Sequence, residues 1–182
     1  MKNIHKWLAI GATLALVTSG ASFAAVALAS GSSGPQLSIL NRPATTADQL
    51  PAAAANSPLA SHLADANAAR RAFVEAGTSL YVAAGSGNTD CLIITNSEFG
   101  ATCAGLGGGV IYLTAPQTDG TMDVYAAVPD GYSTASAGGL TATVRNNAVW
   151  LHAVPLTATT LHLDGPGGSR DVDLGLQTPT NP

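Results

Sequence analysis

Leu140 to Gly165 read LTATVRNNAVWLHAVPLTATTLHLDG, and the fold turns on how this stretch closes on itself. Apolar and polar residues alternate on both sides of Asn146-Asn147, the period of a half-buried β-strand. Asn tolerates positive φ, so the pair predicts a two-residue hairpin loop. Closing that loop sets Val144 opposite Val149, Ala142 opposite Leu151 and Leu140 opposite Ala153, all apolar and all on one face. The other face then carries Thr143 across from Trp150 and Thr141 across from His152. A slip of one residue mixes the two sets, which argues for this register. Downstream, PLTAT at 155–159 closes symmetrically about Thr157, placing Ala153 against Leu161 and Leu151 against Leu163. His152 then faces His162 and Trp150 faces Asp164. Trp150, His152, His162 and Asp164 are therefore the candidate binding face, on the side away from the core.

The same period recurs from about Arg71 onward between regular turn signals. Candidate strands are 78–84, 89–95, 99–104, 109–115, 122–128, 139–145, 148–154, 159–164 and 169–174. About nine short strands so spaced predict an all-β fold, an antiparallel sandwich or small barrel. A three-residue loop at Asn96-Ser97-Glu98 pairs Thr95 with Phe99, Ile93 with Ala101 and Cys91 with Cys103. Cysteines at facing positions can meet disulfide geometry, and the spacing is not the close C-x-x-C that tunes a reactive thiol. We read the pair as one structural disulfide. Asp119-Gly120 predicts a type I′ turn that pairs Ala115 with Val124 and Leu113 with Ala126. GLGGGV at 105–110 lacks the Lys-Ser/Thr of a phosphate loop and leads into a strand, so it reads as a tight connection needing positive φ. Asp171 and Asp173 alternate with Val172 and Leu174, as an outer face does.

The chain has 182 residues, room for one folded domain once its front is set aside. Only 10% of residues are charged while 46% are hydrophobic, with Gly 20 and Pro 10, so turns are frequent and the surface is largely Thr, Ser, Asn and Gln. The only lysines are Lys2 and Lys6; beyond them stand Arg42, Arg70, Arg71, Arg145 and Arg170 against all the acids. Nucleic acids and anionic membrane surfaces both demand clustered cations, so neither partner is supported.

Behind the two lysines, Trp7 to Ala29 is uncharged throughout, an export segment. Two outcomes fit it. One is a cleaved signal peptide, with small residues in A-x-A spacing at Ala27 and Ala29 or at Ser22 and Ala24. The other is a retained anchor at residues 7–29, long enough to span a bilayer with the lysines inside. LASG at 28–31 has no cysteine for lipid attachment. On either outcome the rest of the chain is extracytoplasmic, secreted or membrane-anchored, where an isolated cysteine pair is oxidised. The segments then read as signal peptide or anchor at 1–29, an Ala/Pro/Ser-rich linker at 30–56, a short helix at 57–69, a β domain at 70–176 and a disordered tail at 177–182. Within the linker, TTADQL at 45–50 can make a helical turn. The helix rests on Ser57 as cap, Pro58 at the first position and Leu59, Leu63 and Ala66 on one face. His62 on that segment has no partner at ligand spacing.

Chemistry is sparse. Facing positions hold Cβ atoms about 4.5 to 5.5 Å apart, so His152 and His162 can share a Zn²⁺ or Cu²⁺ ion, with Asp164 leaning along the strand as a third ligand. No H-x-x-x-H or H-E-x-x-H spacing supports that, and a polar outer face with an exposed Trp is the plainer reading. We assign no metal and no cofactor. There is no G-x-S-x-G elbow, and Glu75 and Glu98 lack an acid/base partner, so no catalytic residue is assigned.

YAAVPDGYSTASAGGLTATVRNNAVWLHAV at 125–154, followed by LHLDGPGGSRDVDLG at 161–175, resembles a module of exported β-domain proteins from high-GC Gram-positive (actinobacterial) bacteria. Its pattern is V-P-D-G-V, a variable strand, an N-N or D-N turn, an aromatic strand and a closing D-x-x-G hairpin. Val128-Pro129-Asp130-Gly131, Asn146-Asn147, Trp150 and Asp164-Gly165 hold those places, with Tyr132 where an aliphatic residue is usual. SLYVAAGSGNTDCLIIT and GATCAGL resemble the first half of such proteins, so the likeness covers roughly residues 70–175. It implies location and fold, and lends no activity.

The function this predicts is a non-enzymatic binding or structural module of the cell envelope, with an envelope or extracellular partner. The alternative is a cell-envelope hydrolase or carbohydrate-active protein whose site is not recognisable in one sequence. Metal handling through His152 and His162 is third.

Overall fold

The computed structural model describes residues 36–65, 67–96, 99–105 and 109–175. Residues 1–35, 66, 97–98, 106–108 and 176–182, which include the segment expected to direct export and the expected tail, lie outside the described residues. Among those described, eleven strands form three antiparallel sheets. The first holds β1 (Ala69–Glu75), β2 (Thr78–Ala84), β3 (Asp90–Thr95) and β4 (Phe99–Ala104) in chain order. The second holds β5 (Ile111–Pro116), β6 (Thr121–Ala127) and β9 (Ala148–Pro155), with β6 central. The third has the order β11-β10-β7-β8, from β7 (Thr134–Ala137), β8 (Leu140–Thr143), β10 (Thr160–Gly165) and β11 (Gly168–Asp173).

The second sheet lies between the other two and buries apolar side chains on both faces. Met122, Val124, Val149, Leu151 and Val154 pack against Ala135, Leu161 and Leu163 of the third sheet. Tyr125, Ala127, Ala148 and Ile111 pack the opposite way, against Leu80, Val82, Leu92 and Ile94 of the first. A strand covered on both sides loses its polar alternation, as Val124 to Val128 shows. The far face of the first sheet carries Tyr81, Cys91 and Ile93, which pack with Leu50 and Leu63 from the segment ahead of β1.

Antiparallel β structure and the register of β3 with β4 are as expected, and Cys91 and Cys103 face each other and are bonded. The two hairpins of the opening stretch are not. Asn146 and Asn147 do turn the chain with φ of 50° and 60°, and Arg145 bridges Ala148. Beyond that bridge the strands part: β8 pairs with β7, and β9 with β6. Val144 and Ala142 still share a core with Val149 and Leu151, but across the space between two sheets. β9 and β10 also belong to different sheets, so Ala153 does not pair with Leu161 nor His152 with His162. Leu140, expected in the core, is exposed.

Asp119-Gly120 belongs to a three-residue loop in which the Gln117 N–H donates to the Thr121 carbonyl at 2.8 Å, with only Gly120 at positive φ. Type I geometry followed by a left-handed Gly shifts the pairing by one residue relative to a two-residue turn. Leu113 therefore faces Tyr125, and Ala115 faces Asp123.

Ahead of β1 the expected helix at 57–69 shrinks to a 3-10 helix at Pro58–His62, and Ala69–Glu75 is strand instead. The β-branched and aromatic residues of RAFVE pair with β2 through an Ala76-Gly77 turn. The segment read as linker is ordered from 36 on, with 3-10 helices at Ser38–Asn41 and Thr46–Asp48 and one helical turn at Ala52–Ala55. Leu37 and Ile39 join the core between the first two sheets, which repays the ordering of that stretch.

Two polar clusters fasten it. Asn147 accepts from the Ile39 N–H at 2.9 Å and donates to Val128 O at 3.0 Å and Asp130 Oδ1 at 2.8 Å. The Asp130 carboxylate takes the Ser38 hydroxyl at 2.7 Å. The V-P-D-G and N-N turns thus act as a clasp for the incoming chain. Farther on, Arg42 and Asp48 form a two-pronged ion pair at 2.7 and 2.6 Å. At the bulged edge of β1, Asp48 accepts the Arg71 N–H at 2.7 Å while Arg42 donates to the Arg71 carbonyl at 3.2 Å. The two side chains do there what a neighbouring strand does, and close an edge that is otherwise open to pairing.

Candidate functional site

In the second sheet Val124 pairs with Leu151 and Met122 with Val154, so Asp123 confronts two residues, His152 and Ala153. This is a β-bulge, which bends a strand and re-aims its side chains. Ala153 carries the strain, with φ of 57°. Its N–H donates to Asp123 Oδ1 at 3.2 Å.

Asp123 is only 4% exposed and its carboxylate is fully engaged. Oδ1 also takes the His152 Nδ1–H at 2.6 Å, while Oδ2 takes the Tyr125 hydroxyl and the Gln117 side-chain amide, each at 3.2 Å. A carboxylate that only accepts fixes the proton of the neutral imidazole on Nδ1, leaving Nε2 as an acceptor. The His152 side chain is 69% exposed, so that acceptor is open to solvent.

Aromatic rings brace the pair. Tyr125 and Trp150, opposite one another in register, stack with centroids 5.4 Å apart, and Trp150 meets the His152 ring edge-on at 5.6 Å. Burial, then the negative charge of Asp123 and the bond to it, push the Tyr125 phenol above its usual pKa, so it stays a donor. Trp150 Nε1 is buried and has no hydrogen-bond acceptor among the described residues. Nearby Asp119 is held below the usual carboxylate range, first by the Thr121 hydroxyl and N–H and in smaller part by His152.

Tyr125 also lines an open cleft of about 180 Å³ where the β3–β4 hairpin overhangs the second sheet. Ile94, Asn96, Phe99 and Gly100 form its upper side, and Leu113, Ala115 and Tyr125 its floor. Ala115 pairs with Asp123, so the cleft and the imidazole flank one carboxylate on the same face of the sheet.

Of the four residues expected to share a face, the structure brings together Trp150 and His152 and sets His162 and Asp164 apart on the third sheet. There His162 bonds Asp171 at 2.6 Å and Asp164 bonds Ser169 at 2.9 Å, both between exposed side chains on paired strands. The apolar layer between the sheets separates the two histidines, so the shared ion imagined for them has no geometric basis. Trp150 is half-buried against the first sheet, not displayed on an outer face. Asp123, Tyr125 and Gln117 are absent from the sequence reading. Their signal is a single acid inside the apolar run TMDVYAAV, since a charge in a doubly buried strand requires partners. Among the described residues no group of three or more His, Cys, Asp or Glu side chains is placed to hold a metal ion. Comparison with protein-family models, with curated proteins and with solved structures finds no match to this chain.

Proposed function

We propose that this chain is an extracytoplasmic binding module of the cell envelope, secreted or anchored through residues 7–29, of the exported actinobacterial β-domain kind that its V-P-D-G and N-N turns resemble. The observation that carries the reading is the locked imidazole of His152, its free nitrogen outward beside an aromatic cleft. A hydrogen-bond acceptor fixed by a buried carboxylate is a pre-organised recognition element. Among the described residues the lining of the cleft brings no acid, and its one hydroxyl, on Tyr125, is already donated to Asp123. The Cys91–Cys103 bond supports an oxidising compartment.

A second reading draws on the same residue. An imidazole oriented by a carboxylate is also what a general base needs, so an envelope hydrolase or carbohydrate-active protein would use His152 in that role. Co-sedimentation of the full chain with purified envelope fragments tests the first reading, which predicts saturable retention. Turnover of cell-wall substrates by the same preparation, abolished in His152→Ala, would replace it with the second.

A further inference from the structure

We infer that the open edge of β9 beside His152 is a strand-addition site for a short extended segment of a partner protein, one that alternates small apolar residues with hydroxyl-bearing ones. This rests on the binding reading above and names its partner.

The two strands that meet at the N-N turn supply the observation. Arg145 and Ala148 exchange both backbone bonds, at 2.8 and 3.0 Å. That is the first rung of an antiparallel hairpin, and among the described residues β8 and β9 make no second one. Successive residues of a strand aim their N–H and C=O to opposite sides, so alternation fixes which groups are left. Ala148 bonds Arg145, Val149 and Leu151 face Ala126 and Val124 of β6, and the Trp150 N–H and C=O with the His152 N–H point away from the sheet. β8 does not serve them, because it is laddered to β7 and its flank packs Ala142 and Val144 into the core from the third sheet. Another backbone in extended form offers donors and acceptors at the repeat of this edge.

The site is short. At one end Arg145 closes it, with its guanidinium 4.0 Å from the Phe73 ring centroid and paired with Glu75. At the other the bulge at Ala153 bends the strand, and Pro155 has no N–H. Val149 to His152 span about 13 Å at about 3.3 Å per residue, which fits a segment of about five residues.

Side chains set its pattern. On one face an added strand extends the apolar layer of Val149, Leu151, Ala142 and Val144. On the other it lies beside Trp150 and His152, whose outward Nε2 accepts and calls for an O–H or N–H. Leu140 to Val144, LTATV, is one sequence with this alternation: in the register of a closed hairpin its Thr143 faces Trp150 and its Thr141 faces His152.

The test titrates the full chain into a fluorescently labelled synthetic peptide, GLTATVR, copied from residues 139–145, and follows its anisotropy. Saturable binding that is abolished by N-methylation of both threonines and kept after N-methylation of the alanine supports the inference, because only the threonine N–H groups face β9 in that register. Changing the threonine opposite His152 to valine should weaken binding about fivefold, and not at all against His152→Ala, while His162→Ala binds as the native chain does. Binding that both N-methylated peptides keep, or both lose, overturns strand addition, as does no binding at about 1 mM peptide. Retention on envelope fragments that is lost to protease and competed by the peptide supports the partner; loss to protease without competition overturns this edge as the site. Retention that survives protease overturns a protein partner and leaves the binding reading standing, whereas no retention at all overturns the binding reading itself. A chain that dimerises with concentration and is dispersed by the peptide makes a second copy the occupant and overturns the partner named here.

Discussion

Two aspartates that look alike in the sequence do most to fix local structure. Asp123 holds four donors, and Asp123→Ala strands the Ala153 N–H and the buried Tyr125 hydroxyl at once. An unsatisfied buried group costs about 1 to 3 kcal/mol, so this variant should lose at least about 2 kcal/mol in a denaturant melt. His152→Ala should lose less than about 1 kcal/mol, because an exposed ring leaves no cavity. Equal losses would mean that the imidazole, not the carboxylate, organises the bulge. Asp48 makes a different prediction. The bond from Arg42, then the Arg71 and Thr45 donors, hold its carboxyl far below the ordinary range despite its burial. A pKa depressed in the folded state adds stability that is fully present above the unfolded value of about 3.9 and fades as pH falls below it toward the folded value. The melting temperature of Asp48→Asn should therefore lie below that of the native chain at pH 7, with the gap narrowing between about pH 4 and pH 2. A gap that stays constant over that window would show that the carboxylate charge is not what matters.

At the level of strands and turns, the β1–β2 hairpin places Ala76 at φ of 47° ahead of Gly77 at 80°, a type I′ turn with an ill-suited first residue. Ala76→Asn should raise stability by about 0.5 to 1 kcal/mol, since Asn accepts that conformation more readily and Ala76 is exposed. An unchanged or lower melting temperature would contradict the turn. How much of the fold the sequence discloses is decided at this level. Where a loop joins strands that also pair, as at Cys91 to Cys103, alternation and loop length suffice to give the register. Where a loop carries the chain from one sheet to another, they do not. Val144 and Val149 point into one core whether their strands lie side by side or face each other, so the inward pattern of Leu140 to Gly165 cannot tell the two apart. Leu151, Leu161 and Leu163 are buried as expected for that reason, while the pairing of His152 with His162, which needs the side-by-side case, fails. β7 is hidden because Thr134 to Ala137 alternate only small residues, and β1 because an Ala-rich approach with a good cap imitates a helix. Ala153, at the bulge, breaks period two, and with it any route from sequence to the Asp123–His152 contact.

The whole molecule depends on residues that composition assigns to a stalk. Leu37 and Ile39 are each 5% exposed, and Arg42 with Asp48 seals the β1 edge. A chain beginning at Ser57 should thus melt well below one beginning at Ser33 and associate through its uncovered β1 edge, as light scattering would reveal. Identical melting and a monomeric Ser57 chain would return residues 36–56 to the role of tether. The placing of β6 has a further consequence, for the rate at which its amide protons leave. It is the central strand of the central sheet, hydrogen-bonded on both sides and covered on both faces, with Met122, Val124, Ala126 and Ala127 wholly inaccessible. No partial opening of an outer sheet frees those N–H groups, so in deuterium they should exchange only through global unfolding, whereas the short edge strand β8 exchanges by fraying. The slowest amides of β6 would then report the free energy of the entire domain, and every variant above could be weighed, without heat or denaturant, by how much faster that one strand loses its protons.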